Sequence, residues 1–234
     1  MPRQTPHDRF LAVVQPMART DTEQTARLHV AHLPDGFFPQ LGETYLRRWH
    51  QTFIDVPSAV ALVIKDRDGR VAAFLLGTTD QHAYVRDVLE RDRYALAWRG
   101  VAGMLSHPAV ARRFLRTRAE LYARKLWSGG RQTSGSSGDA GPGTPAGDTA
   151  LAPVGVVHAI VTRPPCRGKG YGRLLLRRYE SELSGAGTPH AVLVTGATNA
   201  AADFYRRLDW RETGRHVDRD GREIIHFERI VGPA

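Results

Sequence analysis

The stretch Arg167-Gly-Lys-Gly-Tyr-Gly172 places an arginine and three glycines between an apolar run at 154–161 and a helical pattern that starts near 173. Glycines let backbone come close to a bulky group, and a helix start leaves amide N–H groups unpaired, so the combination suits a phosphate. Two common phosphate loops do not fit. A nucleotide P-loop, GxxxxGK then Ser or Thr, fails because Gly170 follows Gly168-Lys169 and Arg stands at 163. A dinucleotide fingerprint, GxGxxG, fails because Arg173 or Leu175 stands where its third glycine would be.

What remains is Arg167-x-x-Gly170-x-Gly172, followed further along by Asn199, Ala202, Phe204, Tyr205 and Trp210. These two motifs, in this order and with a strand between them, resemble the GNAT superfamily of acetyl-CoA dependent N-acetyltransferases. The resemblance covers roughly 10–80 and 151–231. It implies an α/β fold, a mixed and mostly antiparallel central sheet flanked by helices, with acetyl-CoA as co-substrate and no metal. It also implies that the backbone amides of Gly168, Lys169, Gly170, Tyr171, Gly172 and Arg173 hold the diphosphate, with the Arg167, Lys169 and Arg173 side chains adding charge. In such proteins the core strand parts from its parallel neighbour, so Ile160, Val161 and Thr162 would offer backbone groups to the pantetheine arm. One departure stands out: Asp209 occupies the position before Trp210 where the family usually carries Gly.

Transfer from a thioester to an amine needs a proton for the departing thiolate and a neutral amine. Helical geometry puts Ala201, Phe204 and Leu208 on a core face and turns Tyr205 away towards the expected sulfur. A tyrosine with pKa about 10 can donate to a thiolate whose conjugate acid lies near about 8.5, which makes Tyr205 the leading general acid. Its alternative reading is a rim aromatic whose hydroxyl meets water. His158, nine residues before Arg167, shares a face with Val154, Val156 and Ile160 by strand alternation. In the arylalkylamine acetyltransferase branch a His at that spacing serves proton removal, so the resemblance implies a base here. The alternative is a structural His. Asn199 is a coenzyme contact, a helix N-cap, or both. Glu43, His82, His216 and His226 are lesser candidates without a spacing argument, and Cys166 has no evident base partner. The acceptor reads as a primary amine of a small molecule, such as an amino sugar, antibiotic or other metabolite. A peptide amine and a non-catalytic CoA-binding sensor are the rival readings.

These residues need elements to hold them. A strand at 10–17 precedes a helix whose Thr20 and Glu23 fit a capping box, and a second helix carries Tyr45, Trp49 and Phe53 on one face. The segment from Gly36 to His50 also resembles a family subgroup with Phe-Phe-x-x-Leu-Gly before its second helix. Two β-rich runs then flank Asp68-Gly69, a hairpin signal. Residues 84–127 read as a two-helix insertion, with Val85 and Leu89 among its apolar positions, and 128–150 as a flexible Gly/Ser/Pro-rich loop. The second half reads as a strand, the glycine loop, a helix burying Leu175, Tyr179 and Leu183, a strand at 190–195, a helix at 199–209 and a hairpin around Asp220-Gly221. The whole, 1–234, reads as one domain.

Thirty-three basic against twenty-four acidic residues give a net charge of +9, a field that favours polyanions, anionic cofactors or acidic surfaces without choosing among them. The Arg pairs 112/113, 177/178 and 206/207 lie beside acidic residues without interleaved aromatics, which reads as solvated surface and not as a nucleic-acid footprint. A single cysteine excludes an internal disulfide framework and fits a reducing cytoplasm. The polar N-terminus is unlike a signal peptide, and no apolar run approaches the roughly 20 residues of a membrane span, so a soluble protein without a membrane partner is expected. Oligomeric state, a homodimer included, stays open.

Overall fold

The computed structural model describes residues 13–34, 38–91, 152–198, 200–218 and 221–232. Among the described residues seven strands, β1 (Val14–Pro16), β2 (Ala59–Lys65), β3 (Val71–Thr78), β4 (Val154–Thr162), β5 (His190–Gly196), β6 (Arg211–Val217) and β7 (Glu223–Ile230), form one sheet. The order across it is β1-β2-β3-β4-β5-β7-β6. Every neighbouring pair is antiparallel except β4 and β5. This is the mixed, mostly antiparallel, helix-flanked sheet that the motifs imply.

Helices α1 (Thr22–His32) and α2 (Glu43–Asp55) cover one face, where Tyr45, Leu46, Trp49 and Phe53 meet Val63, Phe74 and Leu76. Helix α3, described over 81–91, adds Tyr84 to the same cluster. The other face carries α4 (Tyr171–Gly185) and α5 (Ala201–Arg206), whose Leu175, Leu176, Tyr179, Leu183, Ala202 and Tyr205 pack on Leu62, Ile64, Leu75 and Phe227. All eight residues of β3 are buried, because helices cover both of its faces. Burial of a side chain such as Leu175 or Leu183, both fully enclosed, contributes about 1.5–3 kcal/mol relative to exposure. Glycines admit α4 to the sheet: a Cβ on Gly155 would lie 2.4 Å from Leu183 and 2.8 Å from the Tyr179 hydroxyl. That hydroxyl donates to the Thr78 carbonyl at 2.7 Å.

Several local expectations change. Thr20 and Glu23 do not form the capping box; Asp21 accepts from the Ala18 N–H at 3.0 Å and pairs with Lys65 at 2.7 Å. Asp21 lies in a short 3-10 turn, Arg19–Asp21, so α1 begins only at Thr22. Along α3 it is Tyr84 and Val88 that meet the core, while Val85 and Leu89 are exposed. The helix expected over 199–209 is shorter, Ala201–Arg206, and ends in a turn where the Trp210 N–H reaches the Tyr205 carbonyl at 3.1 Å. Residues 10–12, Gly36 and Phe37, 92–150 (the bulk of the insertion and the whole Gly/Ser/Pro-rich loop), Asn199 and Asp220 lie outside the described residues.

Candidate active site between the parted strands

β4 and β5 pair only over Val154–Val156 and His190–Val192. Beyond that point β5 stays with β7 as far as Gly196, and β4 stays with β3 as far as Thr162. The two strands therefore part, and a cleft of about 640 Å³ opens between them. The Arg163 N–H bonds to the Ala72 carbonyl at 2.9 Å, and Phe74 is the partner of Val161 in register. By strand alternation the backbone groups of Val161 face β3, while those of Ile160 and Thr162 face the cleft. Of the three residues expected to offer backbone, two therefore point the right way.

The loop at the cleft's end uses its glycines for different reasons. Gly168 and Gly170 hold φ values of +75° and +81°, a left-handed backbone that other residues rarely adopt. Gly172 is needed for space: a Cβ there would lie 2.9 Å from the Phe204 ring, which links the loop to α5. Gly170 is the N-cap of α4, so the amides of the first turn, Tyr171 to Arg173, have no partner within the helix. Arg167, Gly168, Gly170, Tyr171, Gly172 and Arg173 all line the cleft, with His32 of α1 and Arg207 after α5. Lys169 is exposed on the loop. Among the described lining residues there is no Asp or Glu, so the surface favours an anion. His32 has its pKa lowered by burial and then by the Arg167 charge.

Tyr205 and His158 also line this cleft. Tyr205 is not turned away from the core as helical geometry suggested. It is buried, with ring contacts to Phe204, Trp210 and Phe227, while Ala201, Phe204 and Leu208 are only half-buried. The reason is that α5 is wedged between the glycine loop and the sheet, so both of its flanks meet protein. Burial pushes the Tyr205 phenol above its usual range and keeps it protonated.

His158 sits at a β-bulge. Leu76 pairs with Ala159 and Gly77 with Val157, leaving His158 as the extra residue on β4. The bulge flips the alternation, so Val157 and Ile160 pack with the α4 face and Ala159 and Val161 with the α1/α2 face. Ile160 does not share a face with His158, contrary to the alternation argument. The imidazole lies against Trp49, Phe53 and Tyr84, with ring centroids 5.1–6.1 Å away. Burial lowers its pKa to about 4, so it is neutral at ordinary pH.

None of Glu43, His82, His216 or His226 lines the cleft; Glu43 pairs with Arg27, and His216 with His226 at 2.7 Å. Cys166 is buried at the cleft, 3.7 Å from an Arg163 nitrogen. Among the described residues no group of three or more His, Cys, Asp or Glu is placed to hold a metal, and no helix is long and apolar enough to cross a membrane. Sequence reasoning missed His32 and Arg207 and the bulge, and for His32 no local signal exists, because tertiary packing alone brings it to the cleft.

Residues 142–231, which contain the cleft's loop, both motifs and the parted strands, match the family described as Acetyltransferase (GNAT) domain. Over these residues the chain is similar to a GNAT acetyltransferase domain. Solved GNAT-type structures align along nearly the whole chain. A GNAT superfamily phosphinothricin acetyltransferase from Sinorhizobium meliloti, in complex with AcCoA, is 13% identical with a TM-score of 0.55, covering 94% of this chain and 89% of its own. The ribosomal-protein-S18-alanine N-acetyltransferase from Escherichia coli is 14% identical with a TM-score of 0.52, covering 96% of each chain. The spermidine/spermine N-acetyltransferase of Vibrio cholerae is 10% identical with a TM-score of 0.50, covering 93% of each. At such identities the likeness is one of fold. No curated protein matches the sequence. The departure at Asp209 has a plain outcome: Asp209 takes a φ of 59° and supplies the left-handed turn itself.

Proposed function

We propose that this chain transfers an acetyl group from acetyl-CoA directly to a primary amine of a small molecule, without an acyl-enzyme. The observation that carries the reading is the parting of β4 from β5 beside a loop that aims α4's first amides into a carboxylate-free cleft. Those residues fit the coenzyme. The amides of 168–173 and the charges of Arg167, Lys169 and Arg173 would hold its diphosphate. The outward backbone of Ile160 and Thr162 would pair with its extended arm as an added strand does. Acetyl-CoA supplies an acyl thioester, an activated acetyl group.

In this reading a backbone N–H of β4 polarises the thioester carbonyl, and Tyr205 gives its phenolic proton to the leaving sulfur. A phenol raised by burial is a weaker acid in water, but the same burial disfavours the thiolate that it meets, so the two proton affinities move together. His158 takes the proton of the acceptor amine. Asn199 contacts the coenzyme or caps α5. A small acceptor is favoured because α3, which leads into the insertion, already walls the site: Gln81 and Tyr84 both touch His158. The chain is read as one domain acting in the cytoplasm, in keeping with its lone cysteine.

Release of free thiol from acetyl-CoA, measured with amino sugars, aminoglycosides, polyamines, aryl amines and peptides, tests this. Turnover with one of the small amines is expected. Turnover with peptides alone would replace the acceptor class, and no turnover despite micromolar coenzyme binding would make the chain a sensor.

A further inference from the structure

The first turn of α3 is built around His158. Asp80 accepts from the His82 and Ala83 amides at 2.8 and 3.1 Å and so caps the helix. Gln81, the next residue, reaches β4, where its Oε1 lies 2.8 Å from His158 Nε2. The same oxygen accepts from the buried Thr78 hydroxyl at 3.1 Å, and that hydroxyl accepts from the Val156 N–H at 3.2 Å. A carbonyl oxygen has no proton to give, so the imidazole must supply one at Nε2.

We propose that Gln81 is a positioning residue for His158, holding the ring in its Nε2–H form and leaving Nδ1 as the nitrogen that accepts the proton of the acceptor amine. The role in the reaction rests on the reading of His158 as base. The bulge brings His158 onto the α2/α3 side, where Trp49, Phe53 and Tyr84 wall the ring. Tyr84 is the titratable group among them. Its hydroxyl donates to Thr52 at 2.7 Å, since the Thr52 proton goes to the Trp49 carbonyl at 2.7 Å. When the amine's proton arrives at Nδ1 its electron pair stays on the amine nitrogen, and the imidazolium keeps its Nε2–H on Gln81. Fixing one tautomer through a partner on the far nitrogen is how a second residue makes an imidazole directional.

The full-length protein, labelled with nitrogen-15 at histidine, reads this directly through two-bond proton–nitrogen correlations, with His158→Gln assigning the signal. Wild type should give Nε2–H for His158. Gln81→Leu should shift the ring towards a tautomer mixture and lower kcat with the best amine by roughly 10–100-fold at unchanged KM for acetyl-CoA. Gln81→Glu, which keeps an acceptor oxygen, should restore the Nε2–H form. An Nδ1–H ring in wild type, or one that ignores Gln81→Leu, would overturn the proposal. A tautomer that follows Gln81 while kcat stands still upholds the positioning and rejects His158 as the base.

Discussion

Tyr205 is held by three aromatic neighbours and by its own carbonyl's bond to Trp210, so its hydroxyl is presented at one place. Removing only that oxygen isolates its chemistry. Tyr205→Phe is expected to lower kcat by about 100-fold or more while leaving acetyl-CoA affinity nearly unchanged. Stopped-flow turnover and calorimetric binding would check both, and undiminished turnover would take Tyr205 out of the mechanism. Motif spacing singles out Tyr205 as a candidate, but says nothing of its setting. Sequence periodicity treats a helix as having one buried side, and α5 has two, because Phe204 fills the gap over Gly172 while Tyr205 faces Phe227. His158 illustrates the same limit. Its position on β4 was legible, but the bulge depends on how β4 registers against β3, and Gln81 depends on where α3 docks.

At the scale of elements, the contact between Gly172 and Phe204 joins the glycine loop to the helix that carries Tyr205. Gly172→Val would force a branched side chain against the ring, at a cost of about 1–3 kcal/mol. Weaker acetyl-CoA binding and a lower urea midpoint are expected together; unchanged binding would show that the two elements do not depend on each other. The hairpins, α2's buried face and α4's Leu175-Tyr179-Leu183 stripe were all readable from periodicity and turn residues. The start of α1 was not, because Asp21 is satisfied by Lys65 from a distant strand instead of by a local box. Asp209 departs from the motif's usual glycine, and its φ of 59° explains how the turn survives without one.

For the whole molecule, acid should be destabilising before it is denaturing in the usual carboxylate range. His29 Nδ1 lies 3.0 Å from His50 Nε2, and His50 Nδ1 lies 2.8 Å from the Thr25 hydroxyl, in a buried chain that joins α1 to α2. Burial lowers the His29 pKa to about 4 and holds His50 well below its usual value, with the His29 charge adding to the latter. Between about pH 6.5 and 4 the unfolded chain binds protons that the folded one refuses. Stability is therefore full above the unfolded value and falls as pH drops, by up to about 1.4 kcal/mol per unit for each such histidine. Tm followed from pH 7.5 to 4.5 should decline through this window, and a flat profile would contradict the neutral buried pair.

The account as a whole depends on where the coenzyme lies. A crystal structure of the complex with acetyl-CoA tests that most directly. The diphosphate is expected against the amides of 168–173, the pantetheine arm along Ile160 and Thr162, and the thioester sulfur within hydrogen-bond reach of the Tyr205 hydroxyl. A coenzyme bound away from the gap between β4 and β5, or a gap that stays closed to it at saturating concentration, would contradict the account.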